Sequence, residues 1–170
     1  VYKRQAAYWW LVGALVPGAS MTVPNFAHSM DQPDATLLSV FETMGAEVTR
    51  SGTDVTLTGG SLSGVEVDCE DFPDGAVALG AACAFAETPS RLTGLHTLRV
   101  KECDRVHAVA TEIERFGGRV VEHADARWIS LRPLVLGRIL KSPHGTIIVW
   151  PWLLDLWDWC VPVCGCVTLR

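Results

Sequence analysis

The segment Arg99 to Ile113 reads R-V-K-E-C-D-R-V-H-A-V-A-T-E-I. It sets two cations, Lys101 and Arg105, beside two carboxylates, Glu102 and Asp104, at the mouth of an apolar-periodic helix. Cations at a helix N-terminus attract anions, because the unpaired N–H groups and the helix dipole point the same way. Carboxylates next to them can accept or deliver protons. The same letters also have a structural reading. Cys103 or Asp104 would then sit near the N-cap, the acidic residues would complement the dipole, and Arg105 would be a solvated charge. A further carboxylate, Asp74, stands in Pro73-Asp74-Gly75, where it is either chemically available or a turn or N-cap residue.

The elements that must position these residues repeat. The first set predicts a helix over Ala6 to Leu15 and a strand over Met21 to Pro24. A helix over Asp34 to Met44 follows, then strands over Ala46 to Arg50 and Asp54 to Thr58 around Ser51-Gly52-Thr53. The second set predicts a strand over Val65 to Val67, a helix over Asp74 to Ala86 and a strand over Arg91 to Leu95. A helix over Asp104 to Phe116 and a strand over Arg119 to Glu122 complete it. Both sets contain a helix–Gly–strand junction: F-E-T-M-G-A-E-V in one, I-E-R-F-G-G-R-V in the other. Gly45 and Gly117 are the residues expected where a helix ends on a positive φ. Leu37, Leu38, Phe41 and Met44 have the spacing of a buried helical stripe. Such units bury their apolar faces against copies of themselves, so the repeat implies more protein than these residues provide.

Composition narrows the field. The 170 residues are 49% hydrophobic and 19% charged, with 14 Lys+Arg against 19 Asp+Glu and a net charge of -5. This is globular composition without a basic run, and it leaves no footprint for nucleic acid while leaving small anions open. The apolar stretch Ala6 to Val16 is too short to span a bilayer and stops at Pro17-Gly18. Lys3 and Arg4 before it fit a signal peptide, but an amphipathic helix ending at Pro-Gly explains the same letters and is the reading adopted, with the chain starting in mid-protein. Cys69, Cys83 and Cys103 are dispersed, as reduced thiols of a cytoplasmic protein would be. Cys160, Cys164 and Cys166 cluster without the His or second Cys pair of a zinc site, so no metal and no cofactor is expected.

The fifteen residues from Arg99 resemble a signature of the 5-enolpyruvylshikimate-3-phosphate (EPSP) synthases, R-x-K-E-[S/T]-D-R before an apolar helix with a later Glu. Cys103 stands where Ser or Thr is commoner. Q-A-A-Y-W-W…M-G-A-E-V, from Gln5 to Val48, is similar to the family's S-A-x-Y-F helix and the repeat after it. V-D-C-E-D-F-P-D-G-A-V-A-L-G-A-A-C-A-F-A, from Val67 to Ala86, is similar to its segment centred on Pro-Asp-Ala, with Gly75 in place of Ala. The resemblance covers residues 5 to 125 and implies an α/β (α+β) fold of repeated βαβαββ units. It makes the chain a truncated piece of the C-terminal half: residues 1–60 a partial unit, 61–125 a second unit with the signature. The sister transferases acting on UDP-N-acetylglucosamine share the fold but lack the Lys-Glu-x-Asp-Arg cluster.

The resemblance also implies a reaction, transfer of the carboxyvinyl group of phosphoenolpyruvate to the 5-hydroxyl of shikimate 3-phosphate. It implies a role for Asp74 as the acid/base carboxylate near that hydroxyl and for Glu102 as the second acid/base group. Lys101 would contact the substrates, Arg105 would grip phosphoenolpyruvate, and Thr97 stands where the family has Asn or His against shikimate 3-phosphate. His28, His96, His107 and His123 are read as surface or structural. The family's first domain, its Asp-Asp-His-Arg-Met-Ala-Met motif and its late Lys have no counterpart in the sequence. The chain is therefore expected to need the missing N-terminal domain as partner and to be inactive alone.

From residue 126 to 170 the character changes. Trp150, Trp152, Trp157 and Trp159 crowd one stretch that has neither helical nor strand period. Codons compatible with Gly145 to Val163, read out of phase, can spell Asp-Asp-His-Arg-Met-Ala-Met followed by an apolar helix. The expectation is an aberrant tail produced by a frameshift between Ala126 and His144. Two other classes remain: a non-catalytic interaction module or half of a split enzyme, and a membrane or metal role resting on the tail alone.

Overall fold

Helix α1, Ala6–Leu15, is apolar nearly all round rather than amphipathic, because it packs against strands on one side and two helices on the others. A computed structural model of the chain describes residues 6–26, 33–115, 117–123 and 129–132, the last four by backbone alone. The chain divides into two units, residues 1–135 and 136–170, and all described residues fall in the first. The Trp-rich segment, the three late cysteines and His28 lie outside the described residues.

The first sheet takes β1 (Ser20–Val23), β2 (Glu47–Ser51) and β3 (Asp54–Thr58) in the order β1-β3-β2, antiparallel throughout. Between β1 and β2 runs a 3-10 turn, Pro33–Ala35, and then α2, Thr36–Met44. The helix expected from Asp34 thus begins two residues later. Leu37, Leu38, Phe41 and Met44 are buried, as their spacing predicts. Trp10 of α1 is fully buried and meets Phe26 edge to face, ring centroids 4.5 Å apart.

The second sheet has β4 (Glu66–Asp68), β5 (Ser90–Thr93), β6 (Arg119–Glu122) and β7 (Ile129–Arg132) in the order β4-β5-β7-β6. Strand β4 pairs parallel to β5, and the other pairs are antiparallel. Its β5-β7-β6 portion reproduces the order and sense of β1-β3-β2. Strand β7 falls beyond residue 125, and it completes the sheet by pairing with both β5 and β6. Helix α3 (Pro73–Phe85) lies between α1 and α5 (Arg105–Arg115) and buries ten residues, most of them Ala or Gly, which lets its neighbours approach from both sides. A one-turn helix absent from the sequence reading, α4 (His96–Arg99), fills the gap between β5 and the signature.

The two helix–Gly–strand junctions have one geometry. Gly45 has φ 111° and Gly117 has φ 89°. At each, the glycine N–H bonds the carbonyl three residues back and the next N–H bonds the one five back: Gly45 to Glu42 and Ala46 to Phe41, Gly117 to Glu114 and Gly118 to Ile113. This is the Schellman arrangement, which needs a residue tolerant of positive φ.

Candidate active site

Helix α3 opens with Pro73, whose fixed φ and missing N–H suit a first helical position, and Asp74 follows in the first turn, where a negative charge faces the positive end of the dipole. Helix α5 opens against it. Asp104 caps α5: its Oδ1 accepts from the His107 N–H at 3.0 Å, and its carbonyl accepts from the Ala108 N–H. Because α3 and α5 pack together, the first-turn residues of both helices meet. Arg105 Nη1 donates to Asp74 Oδ1 at 3.1 Å, while Nη2 donates to both oxygens of Glu102, at 3.0 and 2.8 Å. Lys101 Nζ stands 3.6 Å from Asp74 Oδ1.

Four of the five residues singled out from the sequence therefore form one charge cluster, Lys101–Asp74–Arg105–Glu102. The cluster balances two cations against two carboxylates. It is also open: the Glu102 side chain is 72% exposed, Asp74 43% and Lys101 36%, with Arg105 the most covered at 27%. Exposed pairs of this kind stabilise a fold by about 0–1 kcal/mol each, so the cluster contributes little to holding the chain together. Arg105 is a bonded group at the interface of two helices, not the solvated charge of the structural reading. The capping half of that reading holds for Asp104.

Thr97 stands apart. It lies on α4, its hydroxyl oxygen is shielded from solvent, and it finds no partner among the described residues. His107 is exposed, with Nδ1 3.0 Å from Glu122 Oε1.

Electrostatics sort the carboxylates. Glu102 is held below the usual carboxylate range, first by its own backbone N–H and then by the hydrogen bond and charge of Arg105. In this resting arrangement it is an ionised hydrogen-bond acceptor for Arg105. Burial pushes Asp104 up, but the His107 N–H and Arg99 outweigh that and bring it below its ordinary value. Burial drives the thiols of Cys69 and Cys83 to about 12, leaving them inert, while Cys103 is exposed beside Glu102.

Sequence reasoning missed Arg99. Its guanidinium donates from Nη1 to Asp104 Oδ2 at 2.8 Å and from Nη2 to Glu122 Oε2 at 3.0 Å. The signal was the first letter of the signature itself, an Arg five positions before the capping Asp.

The arrangement of sheets and helices is the fold of the enolpyruvyl transferases. The fold matches the enolpyruvyl transferase NikO from Streptomyces tendae at a TM-score of 0.58 and 20% identity, covering 77% of this chain and 30% of that one. It matches the EPSP synthase from Acinetobacter baumannii at a TM-score of 0.63 and 26% identity, covering 75% of this chain and 31% of that one. The model of the family EPSP synthase (3-phosphoshikimate 1-carboxyvinyltransferase) matches residues 4–142. A 3-phosphoshikimate 1-carboxyvinyltransferase of Idiomarina loihiensis is 33% identical over 76% of this chain and 30% of its own length. The chain belongs to the EPSP synthase family, and it spans about 30% of the length of the relatives it matches.

Among the described residues no helix is long and apolar enough to cross a membrane.

Proposed function

We propose that the chain carries one wall of an active site that transfers the carboxyvinyl group of phosphoenolpyruvate to the 5-hydroxyl of shikimate 3-phosphate. The observation that carries this reading is the bridge of Arg105 between Asp74 and Glu102 at two adjoining helix N-termini. Arriving phosphate or carboxylate oxygens would take Arg105 and Lys101 from their present partners, with charge-assisted bonds of the same kind replacing those lost. Release frees both carboxylates for proton work. Asp74 takes the proton of the 5-hydroxyl as its oxygen bonds to C2 of phosphoenolpyruvate, and Glu102, protonated once Arg105 has turned to the substrate, delivers its proton to the methylene carbon. In the second half of the reaction the new methyl returns a proton to Glu102 and the C2–O bond to phosphate breaks, regenerating the double bond, while the departing phosphate takes the proton held by Asp74. Glu102 serves the methylene carbon in both directions, and Lys101 and Arg105 offset the charge that develops on the substrates.

An open cluster on one wall supports the second part of the proposal, that the opposite wall comes from the N-terminal domain. Water has access to every member of the cluster, so the chain alone is inactive. The test is phosphate release from phosphoenolpyruvate and shikimate 3-phosphate, by the chain alone and after mixing with the N-terminal domain of a relative. No release alone and release on mixing is the expected pair. Turnover by the chain alone would refute the need for a second wall, and loss of restored turnover in Asp74→Asn and Glu102→Gln is required by their assigned roles.

The segment 126–170 is proposed to be out of frame in its later part. Its support is the family match, which extends to residue 142, three positions before the out-of-phase Asp-Asp-His-Arg begins. Resequencing the encoding DNA across codons 120 to 170 tests it. A confirmed frame with no shifted family sequence downstream would make the tail genuine protein. The work proposed belongs to the cytoplasm, in keeping with the free thiols of Cys69, Cys83 and Cys103.

A further inference from the structure

Arg99 touches no member of the charge cluster, yet it controls both ends of the loop that carries it. It is the last residue of α4, and the loop Val100 to Cys103 begins immediately after it. Its Nη1 bonds Asp104 Oδ2 on the far side of that loop, 2.8 Å away, so one guanidinium ties the residue before the loop to the residue after it. The second arm, Nη2, is fixed to Glu122 Oε2 on β6 at 3.0 Å, and the His123 carbonyl stands 3.5 Å from the same nitrogen. Glu122 is in turn steadied by His107 at its other oxygen, 3.0 Å away. The side chain of Arg99 is 22% exposed and that of Glu122 is 25%, which makes this pair better shielded than any pair within the cluster.

The consequence for geometry is specific. Closing Arg99 onto Asp104 fixes the span of the four-residue loop, and with it the direction in which Lys101 and Glu102 leave the backbone. The same bond holds the Asp104 carboxylate while its other oxygen caps α5, so the first turn of α5, which begins with Arg105, is set by the same contact. Anchoring to β6 references the whole assembly to the second sheet rather than to the mobile ends of side chains.

We propose that Arg99 is a positioning residue for the anion-binding cluster: through Asp104 and Glu122 it sets the placement of Lys101, Glu102 and Arg105 without touching substrate. The guanidinium suits this task because its two terminal nitrogens reach two carboxylates on different elements at once, in directions that a lysine ammonium cannot fix. The proposal rests on the reading of Arg105 as a phosphoenolpyruvate-binding group only for its consequence on affinity, not for its geometric content.

The experiment uses the full chain, its Arg99→Gln, Arg99→Lys and Glu122→Gln variants, and Arg105→Gln as control. Nitrogen-15 NMR of the arginine guanidinium groups reads how firmly Arg105 is held without ligand, and titration with phosphoenolpyruvate reads affinity. In Arg99→Gln the Arg105 guanidinium resonances are expected to broaden and affinity to weaken, by up to about a hundredfold, the scale of a roughly 1 Å misplacement. Arg99→Lys should recover little of either, and Glu122→Gln, which keeps the cap on α5, should show a smaller shift in the same direction. Unchanged Arg105 resonances and affinity in a folded Arg99→Gln would overturn the proposal and leave Arg99 as a fold contact. Should the parent chain and Arg105→Gln bind phosphoenolpyruvate equally poorly, the functional reading of Arg105 fails, while the positioning role is still decided by the guanidinium resonances.

Discussion

Arg105 reaches Asp74 across 31 positions of sequence, Nη1 to Oδ1 at 3.1 Å, and the contact joins the first turns of two helices from either side of strand β5. The bond explains why two motifs far apart in the sequence belong to one site. It also sets the resting state. With Glu102 on the second arm of the same guanidinium, the groups proposed to move protons are bound to the group proposed to bind substrate. On the proposed reading, substrate and carboxylates would compete for Arg105, and occupancy by one would release the other.

That competition has a signature in the titration of Glu102. Its pKa lies below the ordinary 4.5, with Arg105 the second cause after its own backbone N–H. Removing the guanidinium in Arg105→Gln should move the Glu102 titration upward, part of the way back to 4.5, since the backbone contribution stays. Saturating phosphoenolpyruvate should move it in the same direction in the parent chain. Carbon-13 NMR of the side-chain carboxyl groups follows both, and a Glu102 titration indifferent to Arg105→Gln would remove the coupling between them.

Thiol chemistry offers an independent report on the same loop. Cys103 is exposed one residue from Glu102, whereas Cys69 and Cys83 are buried with thiols near 12. Brief alkylation at neutral pH, mapped by mass spectrometry, should label Cys103 and spare Cys69 and Cys83 until the chain is unfolded. Phosphoenolpyruvate bound at Arg105 and Lys101 should slow the labelling of Cys103. Equal labelling of Cys83 and Cys103 in the folded chain would contradict the packing of α3.

Much of this was legible in the residues because each signal was local. The Leu37, Leu38, Phe41, Met44 stripe and the Gly45 and Gly117 junctions report helix face and helix end through spacing and backbone freedom alone, and the structure has both. Asp74 and the Lys101–Arg105 cluster were found by motif, but their meeting was not: a pairing across two helices depends on how α3 and α5 pack. The ties from Arg99 to Glu122 and from β5 to β7 were hidden for the same reason, being contacts between segments whose local pattern says nothing of each other. Helix α4 escaped because a single turn has no period to detect.

The two junctions permit a matched comparison. Both glycines have positive φ, so alanine at either position should cost about 1–2 kcal/mol for the left-handed conformation alone. They differ in surroundings. A Cβ at Gly45 would come within 2.8 Å of the Ser61 carbonyl oxygen, a backbone atom that cannot swing aside, whereas one at Gly117 meets nothing within 4 Å. Gly45→Ala should therefore destabilise more than Gly117→Ala in urea unfolding. Equal losses would show that the loop bearing Ser61 yields to the added methyl group.

The cap of α5 separates structure from charge at a single side chain. Asp104→Ala removes both the acceptor for the His107 N–H and the partner of Arg99, and loss of an N-cap acceptor costs about 0.5–2 kcal/mol. Asp104→Asn keeps a capping oxygen and gives up the negative charge, so it should be the milder change. The pH dependence follows from the direction of the shift. The folded-state pKa of Asp104 lies below the ordinary 3.8, so its charge stabilises the fold fully above the unfolded value and loses that effect as pH falls through the folded one. The gap between parent and Asp104→Asn should thus be widest near neutral pH and close under acid, below 3.8. With the side chain 39% exposed, solvent screening keeps that gap small, within the range of a surface ion pair. Urea unfolding of the three proteins from neutral to acid pH measures it. A gap that widened on acidification would mean that the ionised form of Asp104 burdens the fold, and that Arg99 does not hold it.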